Sequence, residues 1–470
     1  MRSKTLPTAV LALALLGGLN APSFAREVAV PARIMPASGV IGIEPAHLSP
    51  AFWIARADRP DEVVMDRAAI SAQNAKLMRL DDSMHDLSQV PTTLTRAQVR
   101  HWIEGMSQRP TRPLYDVDSN AVAAATLDAA VDALNRDAIP ETQPTRYGLV
   151  VDRAPLRTFP TLLRVFSRQG DTDIDRFQEN ALFPGTPVVI AHASRDGDWL
   201  FVVSPRYAAW IEKRHVAEGP RAAVLGYGER APYRIVTAAK VHTVHTRERP
   251  QVSELQLDMG LRLPLAGVPT DAPVNGQHPY TSWILDLPVR TDDGTLAFAP
   301  ALLQKNTESA DDYLPLTRAN LIRQAFKFLG ERYGWGHDYN GRDCSGFVSE
   351  VYRSMGVELP RNTSDQGVSP ALNRFAFGTT DGRDKRMQAV AELQVGDLIY
   401  IPGHVMMMIG RIGDVPYVIH DTNGGSYLDA DGQLRSMHLN GVSVTPLSPL
   451  QFNATQTYVD RITSIVRIRP

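Results

Sequence analysis

One cysteine, Cys344, stands in a chain of 470 residues. Without a second thiol an intrachain disulfide is impossible, and a zinc or iron–sulfur centre built on several thiolates is excluded. Stability therefore has to come from packing. Charge of one sign is also scarce: 49 Lys plus Arg stand against 51 Asp plus Glu, a net charge of −2, with no long run of either sign. The chain thus lacks the general basic field that holds nucleic acid or an anionic membrane. It also lacks the composition of a disordered chain, since 43% hydrophobic and 21% charged residues are ordinary for a globular protein. At roughly 150 residues per domain the length calls for about three domains.

The first 25 residues stand apart. Arg2 and Lys4 give a positive start, residues 8–19 an apolar stretch, and Ser23-Phe24-Ala25 a small-x-small sequence ahead of Arg26. This is the pattern of a signal peptide at residues 1–25. The apolar stretch, about 12 residues, falls short of the roughly 20 needed to span a bilayer. No cysteine follows it, so a lipid anchor is unavailable. The expectation is an exported chain, periplasmic or secreted, with no membrane span and no lipoprotein modification. A lone thiol in an exported protein is unusual unless it has work to do, which directs attention to Cys344.

Residues 26–135 read as a mostly helical N-terminal domain, with helical stretches at 65–80 and 121–134 after an extended lead-in. From Tyr147 the pattern changes to short β-branched runs at 149–151, 187–191 and 199–203, with Asp196-Gly197 as a hairpin turn. A second set follows at 233–244, 260–265 and 283–289, with Asp293-Gly294 as another turn. Two small β-barrels are expected, at 136–220 and 221–303, then a linker at 304–315 and a C-terminal unit at 316–470. The fold class is α+β.

In the C-terminal unit, Thr317 caps a helix with Ile322, Ala325, Phe326 and Leu329 on one stripe. A loop dense in glycine and aromatic residues leads to Asp343-Cys344-Ser345-Gly346, after which Phe347, Val348, Val351, Tyr352 and Met355 mark a buried helix. Cys344 falls at the first turn, where free amide N–H groups and the positive end of the macrodipole favour a thiolate and lower its pKa. Buried cysteines are more often small hydrophobes, but a packing cysteine belongs on the apolar stripe, and this one lies at the tip.

A nucleophilic thiol needs a base. Of twelve histidines, His47, His85, His101, His192, His215, His278 and His438 stand alone in polar or loop contexts and read as surface or structural residues. His242 and His245, three apart in a strand, face opposite ways and make a poor metal pair. His404 opens one strand and His420 ends the next. A five-residue loop at 410–414 would pair Ile409 with Val415 and set His404 directly across from His420, whereas a four-residue loop would put them on opposite faces. On one face, one imidazole can take the thiol proton while the other orients it.

Tyr333-Gly334-Trp335-Gly336, Asp343-Cys344-Ser345-Gly346-Phe347, Leu359-Pro360-Arg361 with Gln366, Gly396-Asp397-Leu398 and Gly403-His404-Val405 resemble, in order and spacing, the signature blocks of the NlpC-type cell-wall cysteine peptidases of the papain-like superfamily. Upstream, Asp175-Arg176-Phe177-Gln178, Pro184-Gly185-Thr186-Pro187 and Tyr207-Ala208-Ala209-Trp210 resemble the bacterial SH3-like domains found in one exported branch of that family. The resemblance implies hydrolysis of the bond between γ-D-glutamate and a diamino acid in peptidoglycan stem peptides or muropeptides. It makes Cys344 the nucleophile, His404 the base and His420 the orienting residue, with no cofactor and no metal. It also implies that Tyr333, Trp335, Asp343, Ser345 and Tyr207 hold a free L-alanine amine, although Asp343 reads equally as a helix N-cap. His337 replaces a glycine common in the family, and its side chain would narrow the cleft or add a polar contact. The alternatives are an N-acetylmuramoyl amidase or thiol acyltransferase on the same fold, or an inactive wall-binding scaffold.

Overall fold

The computed structural model describes residues 40–469 apart from Thr270; the signal-peptide reading at 1–25 lies outside the described residues. Among these, no helix is long and apolar enough to cross a membrane. The C-terminal unit is built on a six-stranded antiparallel sheet in the spatial order Asn373–Ala376, Ser464–Arg467, Leu398–Ile401, His404–Ile412, Val415–Thr422, Gly441–Pro446. One face carries Val405, Met407, Ile409, Tyr417 and Ile419 and packs against helices Arg318–Phe326 and Cys344–Arg353; the other carries Met406, Met408 and Val418 and is covered by Val390, Leu447, Leu450 and Ile462. The near-continuous apolar runs of the two central strands follow from burial on both faces.

The first β unit is a single seven-stranded sheet in the order Val216–Gly219, Arg146–Val150, Pro187–Ala193, Trp199–Val203, Ala208–Glu212, Ala154–Arg157, Gln178–Leu182. The Asp196-Gly197 turn sits where expected, with Gly197 at φ +78. The second β unit is divided into shorter pieces, of which the long hairpin Ser282–Arg290 with Leu296–Gln304 is the backbone.

Three boundaries differ from the sequence expectation. The segment 26–135 has no core of its own in its described part. Trp53 and Ile70 pack into the catalytic core, whereas Leu94, Val99, Ile103, Leu127 and Leu134 pack with Tyr147, Phe201 and Trp210 of the first β unit. Its helices are short, and the apolar face of each finds more surface on a neighbouring sheet than on the other helices. The first β unit also reaches past residue 220, because Val224 and Tyr227 bury in its core. Residues 304–315 are more than a linker: Ser309–Ala310 pairs with Ile235 and Val236 as a strand of the second β unit.

Candidate active site

The helix Cys344–Arg353 begins at Asp343, whose Oδ1 accepts the Gly346 amide N–H at 2.8 Å as an N-cap. Phe347, Val348 and Val351 bury the helix against the sheet, which fixes where its tip lies. Cys344 is the first helical residue. Its sulfur is 3.5 Å from Thr363 Oγ1, and the backbone amide of Val405, the neighbour of His404, lies near enough to favour the thiolate, so the histidine strand passes close to the helix tip. The expected low pKa is not found: burial, reinforced by the Asp343 carboxylate, pushes the thiol up to about 11. Dry surroundings and an anion one residue away outweigh the helix-tip amides.

The two histidines share a face for a different reason from the one expected. The turn is Gly413-Asp414 alone, with Ile412 opposite Val415 and Gly410 opposite Tyr417. Continued without a break, that register would put His404 and His420 on opposite faces. Ile409 is an extra residue on the first strand, so that Met408 pairs with Val418 and Met407 with Ile419. One bulge thus restores the common face, and His420 sits diagonally from His404 rather than directly across. Gly410 makes the bulge possible. Its φ is +155, and a Cβ there would sit 2.8 Å from the Trp53 ring, which braces the strand from the N-terminal segment.

His404 Nε2 and His420 Nδ1 are 2.7 Å apart, and His420 Nε2 lies 3.0 Å from the Thr445 hydroxyl, which is fully buried. Burial brings His404 down to about 4 and His420 well below its ordinary value, with the nearby His404 adding to the latter. Both rings rest neutral. For His404 Nδ1 to accept a proton from the thiol it must be bare, so His404 Nε2–H donates to His420 Nδ1, and His420 Nε2–H donates to Thr445.

The other side of the helix tip is ionic. Arg361 donates to both oxygens of Asp343, at 3.1 and 2.8 Å, and to Ser345 Oγ, to Asn180 Oδ1 of the first β unit and to His337 Nδ1. The Gly336 amide N–H also donates to Asp343. Against the effect of burial, the Arg361 guanidinium brings Asp343 down to about 2. Asp343 is therefore the N-cap, and its charge is already matched by Arg361; an ammonium needs a different carboxylate. Ser345 is drawn into the same clamp. His337, at φ +66 and buried, turns into the helix flank instead of narrowing the cleft, with Nε2 3.1 Å from Glu350 Oε1. Burial and Arg361 bring it down to about 3. It fits because Gly346 has no side chain: a Cβ there would sit 2.6 Å from His337 Cε1. Behind it, Arg342, wholly buried, ion-pairs with Glu350, Glu331 and Asp258 of the second β unit at 2.5, 2.6 and 2.8 Å.

The first β unit walls one end of the site. Trp335 Nε1 donates to the Gln178 carbonyl at 3.0 Å, and Gln178 Nε2 donates to the Gly336 carbonyl at 2.7 Å. Next to Gln178, Glu179 accepts hydroxyl protons from Tyr207 at 2.6 Å and Thr158 at 2.5 Å, and its pKa is raised by burial. Unlike Asp343, it has only neutral hydrogen-bond partners. Tyr333 lines a cavity of about 500 Å³ with His404. Glu179, Arg361 and Thr445 were missed as site residues. Arg361 lies inside a quoted block and Glu179 one residue beyond another, but Thr445 has no local signal because only strand register brings it to His420.

Residues 330–448 match the NlpC/P60 family, and residues 164–212 match an SH3 domain of the SH3b1 type. The C-terminal unit is an NlpC/P60 peptidase domain. The chain is 27% identical over 312 residues, 62% of its length and 79% of the relative's, to gamma-D-glutamyl-L-lysine dipeptidyl-peptidase of Bacillus cereus. It is 32% identical over 130 residues to probable endopeptidase p60 of Listeria seeligeri, covering 24% of this chain and 22% of that one. An NlpC/P60 endopeptidase structure from Photobacterium damselae subsp. piscicida shares the fold with a TM-score of 0.71 at 16% identity, over 88% of this chain and 96% of that one.

Proposed function

We propose that the NlpC/P60 domain of this chain is an exported cysteine peptidase that hydrolyses the amide between γ-D-glutamate and the diamino acid of peptidoglycan stem peptides, and that it favours fragments whose L-alanine amine is free. The observation that carries the reading is the hydrogen-bonded line Thr445, His420, His404, at the start of a strand whose next residue, Val405, lies near the chain's single thiol. Catalysis begins from a neutral pair. As Cys344 Sγ attacks the γ-carbonyl carbon, its proton passes to His404 Nδ1, and the imidazolium is steadied through His420. Collapse of the tetrahedral adduct breaks the C–N bond, and His404 returns the proton to the leaving amine. Water, deprotonated by His404, then cleaves the thioester and releases the γ-D-glutamyl acid.

The free-amine preference rests on Glu179. A carboxylate held in partly dry surroundings by two hydroxyls, with Arg361 and Arg157 acting on it from nearby, gains a directly bonded cation when an ammonium arrives, whereas an acylated alanine supplies none. On this reading Glu179, with Tyr207 and the neighbouring Trp335, forms the end of the cleft that receives the alanine amine. Incubation with L-Ala-γ-D-Glu-diaminopimelate should yield L-Ala-γ-D-Glu and free diaminopimelate by mass spectrometry, and Cys344→Ala should yield neither. Full activity in that variant, or release of alanine's own N-substituent from a muropeptide as the main event, would contradict the proposal.

A further inference from the structure

A cavity of about 370 Å³ lies against the Cys344 helix where the two β units and the N-terminal segment meet the catalytic domain. None of Cys344, His404, Tyr207 or Glu179 lines it. Gly346, Glu350 and Arg353, which share one face of the helix, form one wall, and Arg206 of the first β unit and Arg262 of the second form others.

Three guanidiniums and two carboxylates border this space. Glu350 is already engaged, by Arg342 at 2.5 Å and His337 at 3.1 Å. That leaves Glu358, with one oxygen 3.5 Å from Arg206. Arg353 donates to the Met259 carbonyl at 2.8 Å, and its Nε is buried without a partner. Arg262 donates to the Gly228 carbonyl and lies over the Tyr233 ring. Neither Arg353 nor Arg262 forms an ion pair among the described residues. The charged groups converge: burial, opposed by Glu358 and reinforced by Arg353, brings Arg206 down to about 10, and the Tyr313 hydroxyl feels Glu358, Arg262 and Arg353 together. Gly260 presses the backbone of the second β unit onto the Arg353 side chain, since a Cβ there would sit 2.8 Å from Nε, and this fixes where the guanidinium lies. Three cations against one unengaged carboxylate leave positive charge unmatched in partly dry surroundings, a costly arrangement without an anion.

We propose that this cavity binds a phosphorylated small molecule, its phosphoryl group held by Arg206, Arg262 and Arg353 and its organic body by the apolar lining of Met78, Met84 and Phe183. Guanidinium forks arriving from three units match the several oxygens of a phosphoryl group better than the two of a carboxylate. The apolar remainder gives the body of such a ligand a surface to cover. This site goes beyond the peptidase reading and does not depend on it. Its occupant ties the two β units to the helix that carries Cys344.

Calorimetric titration of the full chain at constant ionic strength tests this, with inorganic phosphate, phenyl phosphate and benzoate as probes. Inorganic phosphate should bind saturably at one site with a Kd on the order of 1 mM, and phenyl phosphate about tenfold more tightly. Benzoate, with the same ring and a carboxylate, should bind at least about tenfold more weakly than phenyl phosphate. Arg206→Gln and Arg353→Gln should each weaken phenyl phosphate by about tenfold or more. Arg262 is partly exposed, so Arg262→Gln gives the same readout in a folded chain. Saturating phenyl phosphate should raise the melting temperature of the unaltered protein by roughly 2 °C. No saturable binding of either phosphate, benzoate binding as tightly as phenyl phosphate, or affinity unchanged in Arg262→Gln overturns the inference.

Discussion

On one side of the Cys344 helix tip stand two imidazoles and a hydroxyl, all uncharged and joined by hydrogen bonds of 2.7 and 3.0 Å. On the other stand Arg361, Asp343, Glu350 and Arg342, equally buried and charged. Both sides touch the same short helix, yet they use burial differently. Neutral groups with displaced pKa values can exchange a proton with little reorganisation, which suits a relay. Full charges in a dry interior hold one geometry and release no proton near neutral pH, which suits a clamp. In the proposed mechanism the first flank moves protons and the second holds the helix tip in place.

The two flanks should fail differently when broken. On the relay side, His404→Ala is expected to lower kcat by about 10³-fold with little change in thermal stability. His420→Asn keeps an acceptor for the His404 N–H and should cost only about tenfold, the loss of roughly one good hydrogen bond. Equal and total loss at both positions would contradict this division of roles. On the clamp side, Arg361→Met leaves Asp343 charged, buried and without its counter-charge, held only by the Gly336 and Gly346 amides and Ser345, and should destabilise the protein by about 3–5 kcal/mol in denaturant titration. The double change with Asp343→Asn should recover part of that loss.

The comparison also explains what could be read from the sequence. The cysteine helix was legible because its apolar stripe and its Asp343 cap are local, and the catalytic signature is carried by short blocks. The shared face of His404 and His420 was legible in outcome but not in cause. A parity argument asked for both histidines on one face, yet the parity is set by one bulged residue, Ile409, which alternation alone does not mark. The clamp was not legible, because Arg361 gathers Asn180, His337, Asp343 and Ser345 from segments up to 181 residues apart. The N-terminal segment reads as a domain in the sequence, and the division of its apolar residues between two other cores is not legible there for the same reason. Its helices are amphipathic, and nothing in them says that Trp53 will brace Gly410 while Ile103 joins a different core.

A smaller effect sharpens the role of the end wall. Glu179→Gln should lower kcat/KM about 30-fold on a peptide with a free alanine amine, mostly through KM, since a charge partner worth roughly 2 kcal/mol is lost. It should barely change the already slow rate on the N-acetylated peptide. Equal loss on both peptides would place Glu179 in the scaffold instead.

The smallest effect concerns pH. His404 falls to about 4 and His337 to about 3 from an ordinary 6.5. Between those values the unfolded chain binds more protons than the folded one, so stability rises with pH across that window and is lost as pH falls from about 6.5 toward 4. The melting temperature should follow that slope. The acid limb of kcat/KM should lie nearer pH 4 than 6.5, because His404 stays neutral, and Thr445→Val should move that limb without abolishing activity.

The most direct test of the account is the acyl group on the enzyme. Rapid acid quenching of the wild-type protein during turnover of L-Ala-γ-D-Glu-diaminopimelate, followed by peptide mapping, should find L-Ala-γ-D-Glu joined as a thioester to Cys344. Release of diaminopimelate with no adduct on Cys344, or an adduct bearing any other acyl group, would contradict it.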